Sequence, residues 1–145
     1  MKSQTAGLLV GGVAPAIGYS VFAIGTKLAS QGGLGAGPLL VLVGVGCLAA
    51  GAVFWWLLPA GIALPSAGWG LLSGLAWAAG TGLVSLALSR WEIPISKLNP
   101  IYNTNTLLAV LFGLLAFGEW REVHSLQLVV GAVLILGGSL LVSGA

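Results

Sequence analysis

Charge is what this 145-residue chain has least of. Lys and Arg number five and Asp and Glu three, whereas a soluble domain carries roughly 25% charged residues. That scarcity argues against a soluble protein. The net charge of +2 is too small and too scattered for a nucleic-acid surface. One Cys and one His exclude an internal disulfide framework and a zinc site. Cys47 reads as a small apolar residue buried mid-span, and His124 as part of a charged turn with Arg121 and Glu122. No Asp or Glu stands inside an apolar run, so the embedded carboxylate that a proton-coupled exporter trades against substrate is missing. Nor is there a nucleophile–base pair, a metal cluster or a phosphate loop. The expectation is a protein that is not an enzyme and needs no metal or cofactor.

What the chain does have is five long apolar runs, at about 7–28, 38–58, 67–88, 98–118 and 125–143. Each is close to the ~20 residues with which a helix crosses ~30 Å of hydrocarbon. The expected fold class is an all-α integral membrane protein, a single domain over 1–145 with five transmembrane helices. The first run is read as a span and not a cleaved signal. It is long for a signal core, carries Pro15, Tyr19 and Thr26, and lacks a small-x-small cleavage site after it. The gaps are short: a Gly-rich turn at 30–36, a stretch at 59–66 in which Pro65 starts the third helix, a polar connection at 89–97, and the charged turn at 119–124. Short gaps make neighbouring helices antiparallel. Trp55, Trp56, Trp69, Trp91 and Trp120 fall near span ends, where amphipathic rings anchor at a membrane surface. Trp77 alone lies near mid-span.

Lys2 and Arg121 lie on one side of the spans; Lys27, Arg90 and Lys97 lie on the other. Two against three is almost no bias for a positive-inside rule. Such a chain can insert both ways up and form an antiparallel homodimer, which recreates the inverted repeat of many transporters; a parallel dimer is the alternative. The 24 glycines lie mostly inside the runs, where small residues let helices approach closely. Gly7 with Gly11, Gly70 with Gly74 and Ala78, and Gly131 with Gly138 form such rows. They serve packing within the chain or, on the fifth helix, a dimer seam.

Polar chemistry gathers in three places. The fourth run opens with Asn99-Pro100-Ile101-Tyr102-Asn103-Thr104-Asn105-Thr106, and Pro100 suits the first turn of that helix. Asn99, Tyr102, Asn103 and Thr106 share one helical face. They either cap the helix in interfacial water or line a substrate pathway, since amides in hydrocarbon are costly unless partnered or wet. The third run carries Ser73, Trp77, Thr81 and Ser85 at intervals of four, and the first carries Tyr19, Phe22 and Thr26. Hydroxyls can satisfy themselves on their own helix, or the three helices can wall an uncharged, aromatic and hydroxyl-rich cavity. Pro15 is expected to disturb the first helix. Lys27, near the end of its run, either snorkels to the interface or binds an anionic group. The candidate substrate-binding set is therefore Tyr19, Lys27, Trp77, Thr81, Asn99, Tyr102, Asn103 and Thr106.

The segment NPIYNTNTLLAVLFGLLAFGEWREVHSLQLVVGAVLILGGSLLVSG, from Asn99 to Gly144, combines a helix-opening Pro, a run ending in Gly-Glu, a short turn and a Gly-rich helix ending in Gly-Gly. It resembles the EamA-like module of the drug/metabolite transporter superfamily, and GYSVFAIGTKLAS in the first run is similar to that module's first helix. Most relatives carry two modules; the resemblance is to the small five-helix bacterial and archaeal branch, which implies a dimer. The chain departs from the four-helix multidrug branch, whose first helix holds an essential Glu absent here. The resemblance implies that Glu119 is structural, closing the fourth helix. It also implies transport of an amino acid, a sugar or a similar metabolite.

The expected function is thus a secondary transporter of a small polar or neutral metabolite. It would work by alternating access as a homodimer in a bacterial or archaeal inner membrane, with membrane lipid around it. The alternatives are a non-transporting helper subunit of a membrane complex and a lipid-linked-sugar flippase component.

Overall fold

The computed structural model describes residues 2–118, 120 and 123–144. Among them every regular element is helical, and the chain divides into two compact units, Met1–Glu92 and Ile93–Ala145. Four helices are long and apolar enough to cross a membrane: Thr5–Gln31, Ala36–Leu57, Leu64–Arg90 and Leu126–Gly144.

The first unit opens with α1 (Lys2–Leu8), a π-helical turn (Leu9–Val13) and α2 (Ala14–Gln31), which follow one another without a break. The π turn has a local cause. Pro15 has no N–H to donate and its ring crowds the carbonyl four residues back. The helix widens just before it, and the Ala14 N–H reaches back five residues to the Leu9 carbonyl. The disturbance expected at Pro15 is this widened turn. α2 ends where Gly33 takes a φ of 83°; the Leu34 N–H then donates to the Ala29 carbonyl at 3.0 Å, closing the helix end. α3 (Ala36–Leu57) and α4 (Leu64–Arg90) follow. Pro65 lies in the first turn of α4, as its fixed φ favours. α3 packs on α4, and α4 packs on α2. Glu92, just after α4, is the one non-glycine with a left-handed φ, 53°, among the described residues.

The second unit contains α5 (Ile95–Tyr102), α6 (Asn105–Ala116) and α7 (Ser125–Gly144). The run expected to be one helix over 98–118 is therefore two segments. α5 starts three residues earlier than expected because Pro94, with φ −58° and ψ 136°, holds the extended conformation that precedes a helix. Pro100 consequently sits inside α5 and not in its first turn. The chain then tightens. The N–H groups of Thr104, Thr106 and Leu107 donate to the carbonyls three residues back, at 3.2, 3.1 and 2.9 Å. This is a 3₁₀-like joint between α5 and α6. α5 lies close along α7, whereas α6 approaches α7 less closely. An apolar crevice of about 170 Å³ opens between α6 and α7, lined among others by Leu107, Leu111, Val129 and Val133.

The distribution of side chains inverts that of a water-soluble fold. Among the described residues the buried apolar side chains are Ala23, Leu39 and Leu88, while Thr26, Ser30, Thr81, Ser85 and Ser139 are buried polar ones. Leu, Val and Ile are instead exposed along every long helix, and Trp on α3 and α4. In water such a surface is unstable; against lipid it is the favourable arrangement, because helix contacts there rest on small residues and not on apolar burial. Cys47, expected to be buried, is exposed on α3 for the same reason. The five end tryptophans are exposed as well. Within its own unit no glycine row makes a close contact: a Cβ added at Gly7, Gly11, Gly70, Gly74, Gly131 or Gly138 meets nothing within 4 Å. The close glycine contact is at Gly82, where a Cβ would stand 3.3 Å from the Leu40 side chain. The expected roles of Glu119, Arg121 and Glu122 in the fourth turn fall outside the described residues.

Candidate functional site

The candidate residues draw on both units, and each unit has its own polar feature. In the first unit it is the seam between α2 and α4. Phe22 and Trp77 pack with ring centroids 5.2 Å apart and planes tilted by 43°, a favourable aromatic geometry. Two turns further on, the Ser30 and Ser85 hydroxyls stand 3.5 Å apart. The two pairs have the same sequence separation, 55 residues. Equal offsets mean that α2 and α4 run parallel and in register over this stretch. Thr26 and Thr81, which have that separation too, are buried between the two pairs. On each helix the seam residues recur every four positions, so they stay on one face.

The seam is small-sided and buried. Ser85 is fully buried and Thr26 is 2% exposed. Gly82, also buried, lets α3 bring Leu40 close. Hydroxyls elsewhere satisfy themselves locally: Ser20 donates to the Ala16 carbonyl, Ser73 to Trp69 and Ser89 to Ser85, each at 2.9 Å. Thr26 does not; its Oγ1 is buried without a hydrogen-bond partner. Of the predicted residues in this unit, Thr81 lies in the seam and Trp77 at its aromatic end, with 41% of its surface exposed. Tyr19 is exposed, and the ring that meets Trp77 belongs to Phe22. Lys27 is half-buried beside the seam.

In the second unit the polar feature is the joint itself. Asn103 Nδ2 donates to Asn99 Oδ1 at 3.3 Å, linking the last turn of α5 to the joint. Thr104 Oγ1 donates to the Ile101 carbonyl at 2.6 Å, competing with the helix for its own backbone. Thr106 Oγ1 lies 3.5 Å from Asn105 Oδ1. Asn99 and Tyr102 are half-buried, and Asn103 and Thr106 are exposed. Tyr102, Asn103 and Thr106 therefore sit near the middle of the α5–α6 stretch, and Asn99 about one turn from its start. The two segments together run from 95 to 116, which is ~33 Å of helix at ~1.5 Å per residue. The joint at Asn103 and Thr104 is within a turn of its centre.

Sequence reasoning placed Ser30 in a turn and left Ser85, Thr26 and Phe22 out of the candidate set. The signal that finds them is the matched spacing: an aromatic residue, a threonine and a serine at intervals of four in both helices. Among the described residues no three His, Cys, Asp or Glu side chains come together to hold a metal. What the seam and the joint can do chemically is hydrogen-bond to uncharged or weakly charged polar groups. No family model, curated protein or solved structure matches the chain.

Proposed function

We propose that the chain is a multi-pass membrane transporter of a small polar or neutral metabolite. In this reading α5 and α6 form one kinked span, so the helices cross the bilayer five times, as in an EamA-like module. The protein works as a homodimer by alternating access, in the inner membrane of a bacterium or archaeon.

The observation that carries the reading is the broken fourth run. Its joint coincides with the densest polar sequence in the chain and lies near the centre of a stretch long enough to span hydrocarbon. Discontinuous helices with polar groups near the midplane are where secondary transporters hold substrate. Irregular backbone at that depth is tolerated only where it is covered by protein or lines a wet cavity. A joint near the centre also argues against the capping alternative, which needs Asn99 and Pro100 at a helix start.

The test is uptake by the full chain reconstituted in liposomes, with metabolites first screened by thermal shift of the purified protein. Asn103→Leu removes an amide whose partner is the nearby Asn99. It is expected to leave the unfolding midpoint equal or higher and to lower uptake or ligand binding at least tenfold. A fully active Asn103→Leu protein contradicts the site.

A further inference from the structure

Between Lys27 and Arg90 the sequence has no Asp, Glu, Lys, Arg or His. The connection at 58–63 is therefore uncharged, unlike the other end of α4, which holds Arg90 and Glu92. Gly82, near the end of α4, meets Leu40, near the start of α3. With so short a connection between them, α3 and α4 run antiparallel, and 58–63 is the tip of a hairpin.

Tryptophans fix a level on this hairpin. Trp55 and Trp56 lie at the end of α3 and Trp69 in the second turn of α4; all three are exposed. Trp91, exposed too, follows α4 directly. The stretch from Trp69 to Trp91 is ~33 Å of helix at ~1.5 Å per residue. On α3 the stretch from Trp55 back to Ala36 is ~29 Å on the same basis. Both lengths match the ~30 Å of hydrocarbon that lies between two interfacial aromatic belts.

What lies beyond the belt, from Leu57 to Ser66, is apolar yet irregular in its middle. Leu58, Ile62 and Leu64 are each at least 67% exposed. The backbone N–H groups of Ala60, Gly61 and Ile62 have no acceptor among the described residues. These two facts exclude two locations. Hydrocarbon would leave the backbone unsatisfied, which rules out a hairpin tilted until its tip sinks below the belt. Bulk water would satisfy the backbone but leave three large apolar side chains hydrated. The headgroup layer meets both needs: water and headgroups reach the N–H groups, and Leu and Ile reach the acyl boundary beneath. Trp55 and Trp56 are turned about 100° from each other on α3, and Trp69 stands on the other helix. Rings spread around the tip suit a surrounding lipid layer, whereas a seam with a second protein needs them on one side.

We propose that the α3–α4 tip is a lipid-binding turn. It sits in the headgroup layer with Leu58, Ile62 and Leu64 dipped into the acyl boundary and the three tryptophans around it. The contact is apolar and aromatic, so it does not depend on lipid charge. It rests on the multi-pass part of the proposed reading and not on transport.

The experiment is electron paramagnetic resonance on the full chain in phosphatidylcholine liposomes. Leu58→Cys, Ile62→Cys and Glu92→Cys, each in a Cys47→Ala background, carry a nitroxide label. Its accessibility to oxygen, which concentrates among acyl chains, is compared with that to a water-soluble nickel chelate present on both sides. Flotation with the liposomes first establishes insertion. The labels at 58 and 62 are expected to favour oxygen over the chelate at least fivefold more than the label at 92 does. The same preference is expected with anionic phosphatidylglycerol added and in high salt. Ile62→Glu, read from the label at 58, should lower the preference at least threefold, as a charge draws the tip towards water. Equal chelate accessibility at 62 and 92 overturns the proposal, because the tip is then in water. Labels at 58 and 62 shielded from both probes overturn it too, because a second copy of the chain then covers the tip. A chain that fails to float with the liposomes removes the membrane reading and this turn with it. Flotation and the expected depths without uptake of any metabolite keep the turn and remove only transport.

Discussion

In the first unit α2 and α4 close on hydroxyls and bring a glycine into contact with α3; in the second, α6 stands off α7 over leucine and valine. The two regions pack in opposite ways, and the more apolar helices are the ones that stand apart. The difference lies in side-chain size. Between apolar helices in lipid there is no gain from burying leucine against leucine, because the hydrocarbon around them is equally apolar. Small residues are what allow close approach and dispersion contact. Where the facing residues are Leu107, Leu111, Val129 and Val133, a crevice remains. Where they are Thr26, Ser30, Thr81, Gly82 and Ser85, the helices meet.

The largest expected effect comes from making the tight seam resemble the loose one. Ser85 is fully buried, so Ser85→Leu must push α2 and α4 apart, at a cost of about 2–3 kcal/mol. Denaturant unfolding in a mild detergent measures it; a loss below ~0.5 kcal/mol would mean that the seam does not hold the unit together. The converse change in the second unit is milder. Ala132→Leu adds volume to the α6–α7 crevice and is expected to stabilise by no more than about 1 kcal/mol, the scale of filling a small void. A loss larger than that would show that α6 and α7 are packed more tightly than the crevice implies. The smallest effect is expected just after α4. Glu92 holds a left-handed φ, which strains a residue with a Cβ by roughly 1–2 kcal/mol. Glu92→Gly relieves that strain and gives back part of the gain as chain entropy. The net expectation is a rise of under about 1 kcal/mol in the same assay.

The legibility of the sequence divides along the same line. Run length and the lack of charge sufficed to locate α2, α3, α4 and α7, because those signals are averages over some twenty residues. The turns at Gly33 and Pro65 followed from single residues with strong backbone preferences. The break after Tyr102 did not, although its ingredients were visible. The Asn99–Thr106 stretch was read as the polar start of a helix, whereas Pro94 starts the helix earlier and the side chains of Asn103 and Thr104 compete with the backbone at the centre. The register of α2 on α4 was also missed: the stripe of Trp77, Thr81 and Ser85 was recognised on one helix, but its match in Phe22, Thr26 and Ser30 requires comparing two helices at a fixed offset. For the glycine rows, spacing identifies a smooth face but not what covers it.

The central claim, that the α5–α6 joint is a wet, polar point within a membrane span, is tested most directly by cysteine labelling. In a Cys47→Ala background, Asn103→Cys and Leu111→Cys are each exposed, in membranes, to a membrane-impermeant thiol reagent present on both sides. Asn103 lies at the joint and Leu111 two turns along α6, in the apolar crevice. The account predicts that Asn103→Cys reacts readily while Leu111→Cys stays protected. Protection of both positions, or equal reaction at both, would contradict it.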